Sequence, residues 1–346
     1  MNEWRKNLKA LSWLYKKATK TRNTLYDKQI LTSREFETPL IVVGNLRVGG
    51  TGKTPMVAYL VNLLKKDYRV AVLSRGYKRQ SKGFVLADNN ADVLSIGDES
   101  FQLLRQHPDI LVAVDADRAN GIKQLEALDN PPQVIILDDA FQHRKVNAGF
   151  NILLTPYDDL YTEDELLPVG NLRESVEGAD RAQVIVVTKS PRKLTNIQEF
   201  ETSKKLNLSL TQTAFFTTIA YADFVKNETE TIPLNDLKDY GIVLVTGIAE
   251  PQYLLDFLNS KNIVYKHLSY PDHHNFSATE INIIKEEFQQ LKAIKKIILT
   301  TEKDYVRIFD NLLNIYYLPI QTEFINHQTD FDQLICNYVG QSTRNS

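Results

Sequence analysis

The chain is almost without cysteine: Cys336 is the only one among 346 residues. A lone cysteine cannot build an internal disulfide framework, and such scarcity suits a reducing compartment. Long apolar runs are missing too. No stretch approaches the ~20 residues needed to span a bilayer, and the N-terminus lacks the apolar centre of a secretory signal. Charge of one sign does not dominate. The 41 basic and 43 acidic side chains leave a formal net charge of -2, which gives no reason to expect nucleic acid as the main partner. What is abundant is ordinary: 43% hydrophobic and 24% charged residues describe a globular protein with ample core. The length favours two domains over one.

The chain has only two tryptophans, Trp4 and Trp13, and both fall near its start. Trp4, Leu8, Leu11 and Tyr15 recur there at helical spacing, and Leu14 and Ala18 extend the stripe. Arg5, Lys6, Lys9, Lys16, Lys17, Lys20 and Arg22 stand against the single acid Glu3. Residues 1–30 are therefore expected to form a basic amphipathic helix. Two placements suit it. On an anionic membrane surface, indole would sit at headgroup level and lysines would meet lipid phosphates. Alternatively the helix packs on its own domain with a solvated basic face.

From Pro39 onward short apolar runs alternate with helical stretches such as 55–66 and 98–106. LIVV (40–43), VAVL (70–73), ILVAV (110–114), VIIL (134–137), NILLT (151–155) and VIVVT (184–188) are expected as buried strands of a parallel sheet. The chain turns polar over 192–240. A second α/β set follows with IVLVTG (242–247), IVYKHL (263–268), KIILT (296–300) and IYYLP (315–319). This is an α/β layer pattern with a boundary expected near 205, separating a first domain (31–205) from a smaller second one (206–346).

The stretch VVGNLRVGGTGKTP (42–55) sits where a phosphate-binding loop must sit, between a buried strand and a helix opened by Pro55. Gly49, Gly50, Thr51 and Gly52 would turn backbone N–H groups toward an anion at the helix N-terminus. Lys53 would reach the β- and γ-phosphates, and the Thr54 hydroxyl would ligate Mg²⁺. Arg47 stands where the general pattern has its first glycine, so that end of the loop is expected to be shaped differently. VIILDDAFQHR (134–144) supplies the partner motif: Asp138 and Asp139 close a strand where an acid can hold Mg²⁺. Gln142 and His143 follow within reach of the same site. TKSP (188–191) lies where a guanine-reading motif would carry an aspartate and lacks it, which leaves ATP as the default. Candidates for orienting or deprotonating an acceptor hydroxyl are Asp98 in SIGDES, Asp115 and Asp117 in VDADR, and the run Asp272-His273-His274. Arg75, Arg79, Arg118 and Arg173 could clamp an anionic substrate. No second Cys/His cluster is present to complete a zinc site.

Taken in order, VGNLRVGGTGKTP, LSRGY (73–77), GDE (97–99), LDDAFQH (137–143), LPVGNLRE (167–174), PDHH (271–274) and TEKD (301–304) resemble the tetraacyldisaccharide 4'-kinase family, the lipid A 4'-kinases of Gram-negative bacteria. The resemblance runs from about residue 8 to 320. It implies two α/β/α domains, the first P-loop NTPase-like, with the active site in the cleft between them. It also implies an ATP- and Mg²⁺-dependent kinase acting on the 4'-hydroxyl of a tetraacylated glucosamine disaccharide 1-phosphate, giving lipid IVA. The enzyme would sit peripherally on the cytoplasmic face of the inner membrane through its N-terminal helix, with no obligatory protein partner. By motif match Asp98 takes the place of the family's proposed base and His273 that of its histidine partner. Gln142 joins the loop residues in binding cofactor; Thr54, Asp138 and Asp139 form the metal set. Arg118, Asn171 and Arg173 fall in motifs associated with lipid binding. The chain departs from the family pattern at Ser100, Ala140, Val169 and Asn171. The rival class is a P-loop switch or metallochaperone-type NTPase, for which neither the DHH run nor the basic helix would be needed.

Overall fold

The structure, a computed structural model, describes residues 8–272, 274–308 and 312–344, with side chains to 342. Helix α1 (Lys9–Asp27) leads into β1 (Leu40–Asn45), the glycine-rich loop and α2 (Lys53–Leu64). The apolar runs then become β2 (Val70–Ser74), β3 (Val85–Leu86), β4 (Leu111–Val114), β5 (Val134–Asp138), β6 (Phe150–Pro156) and β7 (Val184–Thr188). Between them lie α3 (Asp98–Gln106) and α4 (Arg118–Glu126); α5 (Asn196–Leu206) and β8 (Thr213–Tyr221) follow. A second set comprises β9 (Phe224–Lys226), β10 (Thr231–Pro233), β11 (Tyr240–Thr246), α6 (Gln252–Ser260), β12 (Lys266–Ser269), α7 (Ala278–Gln290), β13 (Lys295–Thr301), α8 (Glu302–Ile308) and β14 (Ile315–Leu318). The chain closes with β15 (Ile320–Phe324) and α9 (Gln328–Arg344).

Two sheets result. The larger has the order β15-β8-β7-β6-β1-β5-β2-β4-β3, and the smaller β10-β9-β14-β13-β11-β12. In the larger sheet only the edge pairs β3/β4 and β15/β8 are antiparallel. Its inner strands are buried on both faces, as expected of continuous apolar runs. Ile41 and Val43 face the core formed with α2 and α9, while Leu40 and Val42 face the opposite core. The expected boundary needs correction. β8, β15 and α9 all lie within 206–346 yet belong to the first sheet, so the second lobe spans only β9 to β14. The mixed composition after 192 belongs to α5 and its loops. β8 hides in it because its buried residues include Thr217 and Thr218 beside Phe215 and Phe216.

Helix α1 combines features of both expected placements. Its inward side docks through hydroxyl and amide groups: Ser12 Oγ donates to Leu166 O, Tyr15 OH to Arg173 O at 2.6 Å, and Asn23 Nδ2 to Glu174 Oε2. Leu11, Leu14 and Trp13, the last 59% exposed, face outward. The expected stripe is therefore split, with Tyr15 turned in and its leucines turned out. Trp4 lies outside the described residues. Among the described residues, no helix is long and apolar enough to cross a membrane.

Candidate active site

The register of β1 against β5 places Val43 opposite Asp138, so the glycine-rich loop leaves the sheet beside the two acids. Gly52 caps α2 with φ 83°, a left-handed conformation that favours glycine. Asn45 Nδ2 donates to Thr51 Oγ1 at 2.7 Å, and Thr188 Oγ1 donates to Thr51 O, fixing the loop from both sides. Arg47 answers the missing glycine. It is buried, its Nη1 donates to Asp159 O and pairs with the Asp159 carboxylate, and its Nη2 lies 3.7 Å from Asp164. It braces the start of the loop against the 159–164 segment.

Lys53 Nζ lies 3.5 Å from Asp139 Oδ1, and Arg173 Nη1 lies 3.2 Å from the same carboxylate. Burial alone would push Asp139 up, but Lys53 and Arg173 outweigh it and hold its carboxyl below the usual range. Asp138 goes the other way. Burial, then the charges of Glu99 and Asp139, push it up to about 7 against the pull of Lys53 and Arg118. Its Oδ1 is buried without a hydrogen-bond partner. The two neighbouring acids are thus pushed in opposite directions by their surroundings.

Asp98 opens α3 at the other wall. Gly97 before it has φ 83°, and a Cβ there would come 2.8 Å from Tyr77 O, so the turn that presents Asp98 requires glycine. The Asp98 carboxylate pairs with Arg307 of α8, whose Nη1 lies 3.5 Å from Asp304. Asp304 is fully buried and accepts from Gly247 N and Thr301 Oγ1. Further along α3, Arg105 pairs with Glu228, and Glu302 is hydrogen-bonded by Gln106 and Gln102. The helix that carries Asp98 is thus also the surface on which the second lobe docks.

Several expected residues have other work. Arg118, grouped with the substrate residues, is only 2% exposed and donates to Asp115 O and Asp138 O; it braces the end of β5. Burial lowers its pKa to about 10 despite the nearby acids. Gln142, expected at the cofactor, turns its amide to Asn45 O and Glu174 Oε1. Asp117 caps α4 at Ala119 N, and Asp115 accepts from Asp117 N and Asn120 Nδ2, so both are taken up in local structure. Arg79 is committed to Gly83 O and Val114 O. Asn171 lies at the loop through its backbone, accepting from Val48 N. Arg173 is joined to the loop strand by its N–H to Leu46 O. In the DHH run, Lys303 pairs with Asp272 and His274 with Glu280, while His273 lies outside the described residues. Partial burial, then the charge of Arg118, lowers the pKa of the half-buried His143 to about 4.

Arg307 was not singled out from the sequence, while Thr188 and Glu174 stood inside TKSP and LPVGNLRE without a role of their own. Glu99 stood inside the GDE motif. Arg307 follows Asp304 at i+3, the spacing of a helical ion pair.

The sequence pattern of the tetraacyldisaccharide-1-P 4'-kinase (LpxK) family matches residues 4–340. The chain belongs to this family. It is 50% identical to a tetraacyldisaccharide 4'-kinase of Flavobacterium johnsoniae over 99% of both chains. It is 38% identical to one of Porphyromonas gingivalis over 96% of this chain and 94% of that one. A crystal structure of LpxK from Aquifex aeolicus in complex with ATP superposes with a TM-score of 0.78 at 32% identity, covering 97% of this chain and 99% of that chain. The P-loop NTPase-like first lobe and smaller α/β second lobe are thus family architecture.

Proposed function

We propose that this chain, like its named relatives, is a tetraacyldisaccharide 4'-kinase, transferring the γ-phosphoryl group of ATP to the 4'-hydroxyl of a tetraacylated disaccharide 1-phosphate to give lipid IVA. The observation that carries the proposal is the convergence of Lys53, Asp139 and Arg173 at the mouth of the glycine-rich loop, in a chain of this family.

The residues fit Mg²⁺. Asp138 offers a buried, unpartnered carboxylate oxygen, and Asp139 and the Thr54 hydroxyl add hard oxygen donors. Among the described residues no group of three or more His, Cys, Asp or Glu could hold a metal by itself, which suits an ion completed by phosphates and water. Bound there, Mg²⁺ would neutralise charge on the β- and γ-phosphate oxygens.

Lys53 and the backbone N–H groups of Gly49 to Gly52 hold the phosphates. Asp98 accepts the proton of the attacking hydroxyl, with Arg307 orienting its carboxylate from the second lobe. His273 keeps the partner role that the family resemblance implies. Arg173 and Asn171 border the substrate side. Closure of the second lobe on α3 excludes water that would otherwise take the phosphoryl group. Helix α1 lies on the cytoplasmic face of the inner membrane through Leu11, Trp13 and Leu14, flanked by Lys16, Lys17 and Lys20.

The test is phosphate transfer from Mg-ATP to purified tetraacyldisaccharide 1-phosphate in detergent micelles; no product at saturating Mg-ATP would sink the proposal. Asp98→Ala should lower turnover by about 10²-fold or more while sparing ATP affinity. A comparable loss of ATP binding would remove Asp98 from the role of base.

A further inference from the structure

The run Thr301-Glu302-Lys303-Asp304 takes no part in the chemistry above, yet its side chains tie together pieces that do. It spans the end of β13, an inner strand of the second sheet, and the first turn of α8. Thr301 and Asp304 close that turn on each other: Thr301 Oγ1 donates to Asp304 Oδ2 at 2.7 Å and accepts from Asp304 N at 3.1 Å. Glu302 turns to Gln102 and Gln106 on α3. Lys303 Nζ reaches the loop after β12 and donates to Asp272 Oδ1 at 3.0 Å. Asp304, besides meeting Arg307, accepts from Gly247 N at 2.8 Å, in the turn after β11.

That turn and the loop after β12 meet over Asp304. A Cβ on Gly247 would lie 3.0 Å from Asp304 Oδ1, 3.3 Å from Pro271 O and 3.5 Å from His274 Cβ, so the two segments approach closely. His274 Nε2 lies 2.9 Å from Glu280 Oε1 in the first turn of α7, and its ring stacks on Tyr270 with centroids 5.1 Å apart. Both chain neighbours of His273 are therefore anchored, Asp272 to Lys303 and His274 to Glu280. The two anchors differ in kind. His274 is packed among aromatic rings, whereas Asp272 rests on an ion pair that stands partly in solvent. Such a pair adds little to stability; what it fixes is geometry.

We propose that Lys303 is a positioning residue for phosphoryl transfer: by holding Asp272 it seats the DHH run on the turn that Asp304 braces, the same Asp304 that Arg307 bridges to Asp98. The proposal rests on the kinase reading above, in which Asp98 and His273 act together, and gives the TEKD run its part in it. Two consecutive side chains thereby set the base and its partner in one frame. Misplacing a reacting group by about 1 Å can cost ~10²-fold in rate, so a contact too exposed to matter for folding matters for turnover.

Steady-state kinetics of the full chain with Mg-ATP and tetraacyldisaccharide 1-phosphate in detergent micelles, beside thermal melts, test it. Lys303→Ala should lower kcat about ten-fold or more and leave KM for Mg-ATP and the melting midpoint unchanged. Lys303→Arg, which keeps the pair, should retain most of the rate. In a His273→Ala background Lys303→Ala should cost nothing further, because the group it positions is gone. Unchanged kcat, a rise in KM for Mg-ATP, or losses that multiply in the double variant each overturn the positioning role. Wild-type protein that transfers no phosphate overturns the kinase reading itself and the positioning role with it.

Discussion

Asp138 and Asp139 are adjacent in sequence, but their surroundings push them in opposite directions. Asp138 rises from 3.8 to about 7, so the folded chain holds an extra proton between those pH values. The stability carried by the neutral carboxyl is present below about pH 4 and lost as pH rises through about 7. Asp138→Asn, neutral throughout, should therefore melt a few degrees above wild type on the alkaline side of that window, with the gain vanishing in acid; thermal melts across the range check it. Arg307 gives a second residue-scale expectation. It bridges two buried carboxylates, Asp98 and Asp304. Removing it in Arg307→Ala should cost about 3–5 kcal/mol in urea unfolding, because uncompensated buried charge remains. Asp98→Ala in the same chain should restore part of the loss, the coupling that a double-mutant cycle measures. That Lys53 lies beside Asp139, and that Asp138 closes the strand next to the glycine-rich loop, was legible from sequence because a loop between strand and helix and a strand-end acid are local patterns. The hydrogen bonds that take up Arg118, Gln142 and Asp115 were not legible, because proximity along the chain does not say which polar groups the fold consumes. Arg307 escaped notice because its partner Asp98 stands 209 positions away.

At the scale of elements, α1 and α3 each serve two surfaces. The inward groups of α1 hold the segment that bears Arg173, while Leu11, Trp13 and Leu14 stand outward among exposed lysines. Replacing Leu11, Trp13 and Leu14 together by serine should abolish co-sedimentation with anionic vesicles and leave the thermal midpoint unchanged, since the side chains are exposed. Tyr15→Phe, which strips the bond to Arg173 O, should cost about 1 kcal/mol of stability while vesicle binding persists. Loss of vesicle binding in neither variant would make the helix structural alone. Helical spacing and basic charge marked α1 in the sequence. Which of its faces turned outward depended on carbonyls more than a hundred residues away, as the separation of 158 between Tyr15 and Arg173 illustrates.

For the whole molecule, the alternation of apolar runs was enough to reveal an α/β protein with two sheets, but not where one lobe yields to the other. The chain crosses between lobes twice, side by side, at β8 to β9 and at β14 to β15, with Ala222 N donating to Pro319 O between the crossings. The returning segment is needed: Phe331, Ile335 and Val339 of α9 are fully buried in the core of the first lobe. Phe331→Ala should cost about 3–5 kcal/mol, measured by chemical denaturation. The same arrangement bears on synthesis. Leu40, at the start of the central strand, exchanges hydrogen bonds with Tyr338, 298 positions later. On the ribosome the second lobe is fully translated while the first still lacks β15 and α9. The inserted lobe can therefore finish folding ahead of the one that encloses it, leaving the nascent nucleotide sheet with an unfilled edge until the last helix emerges.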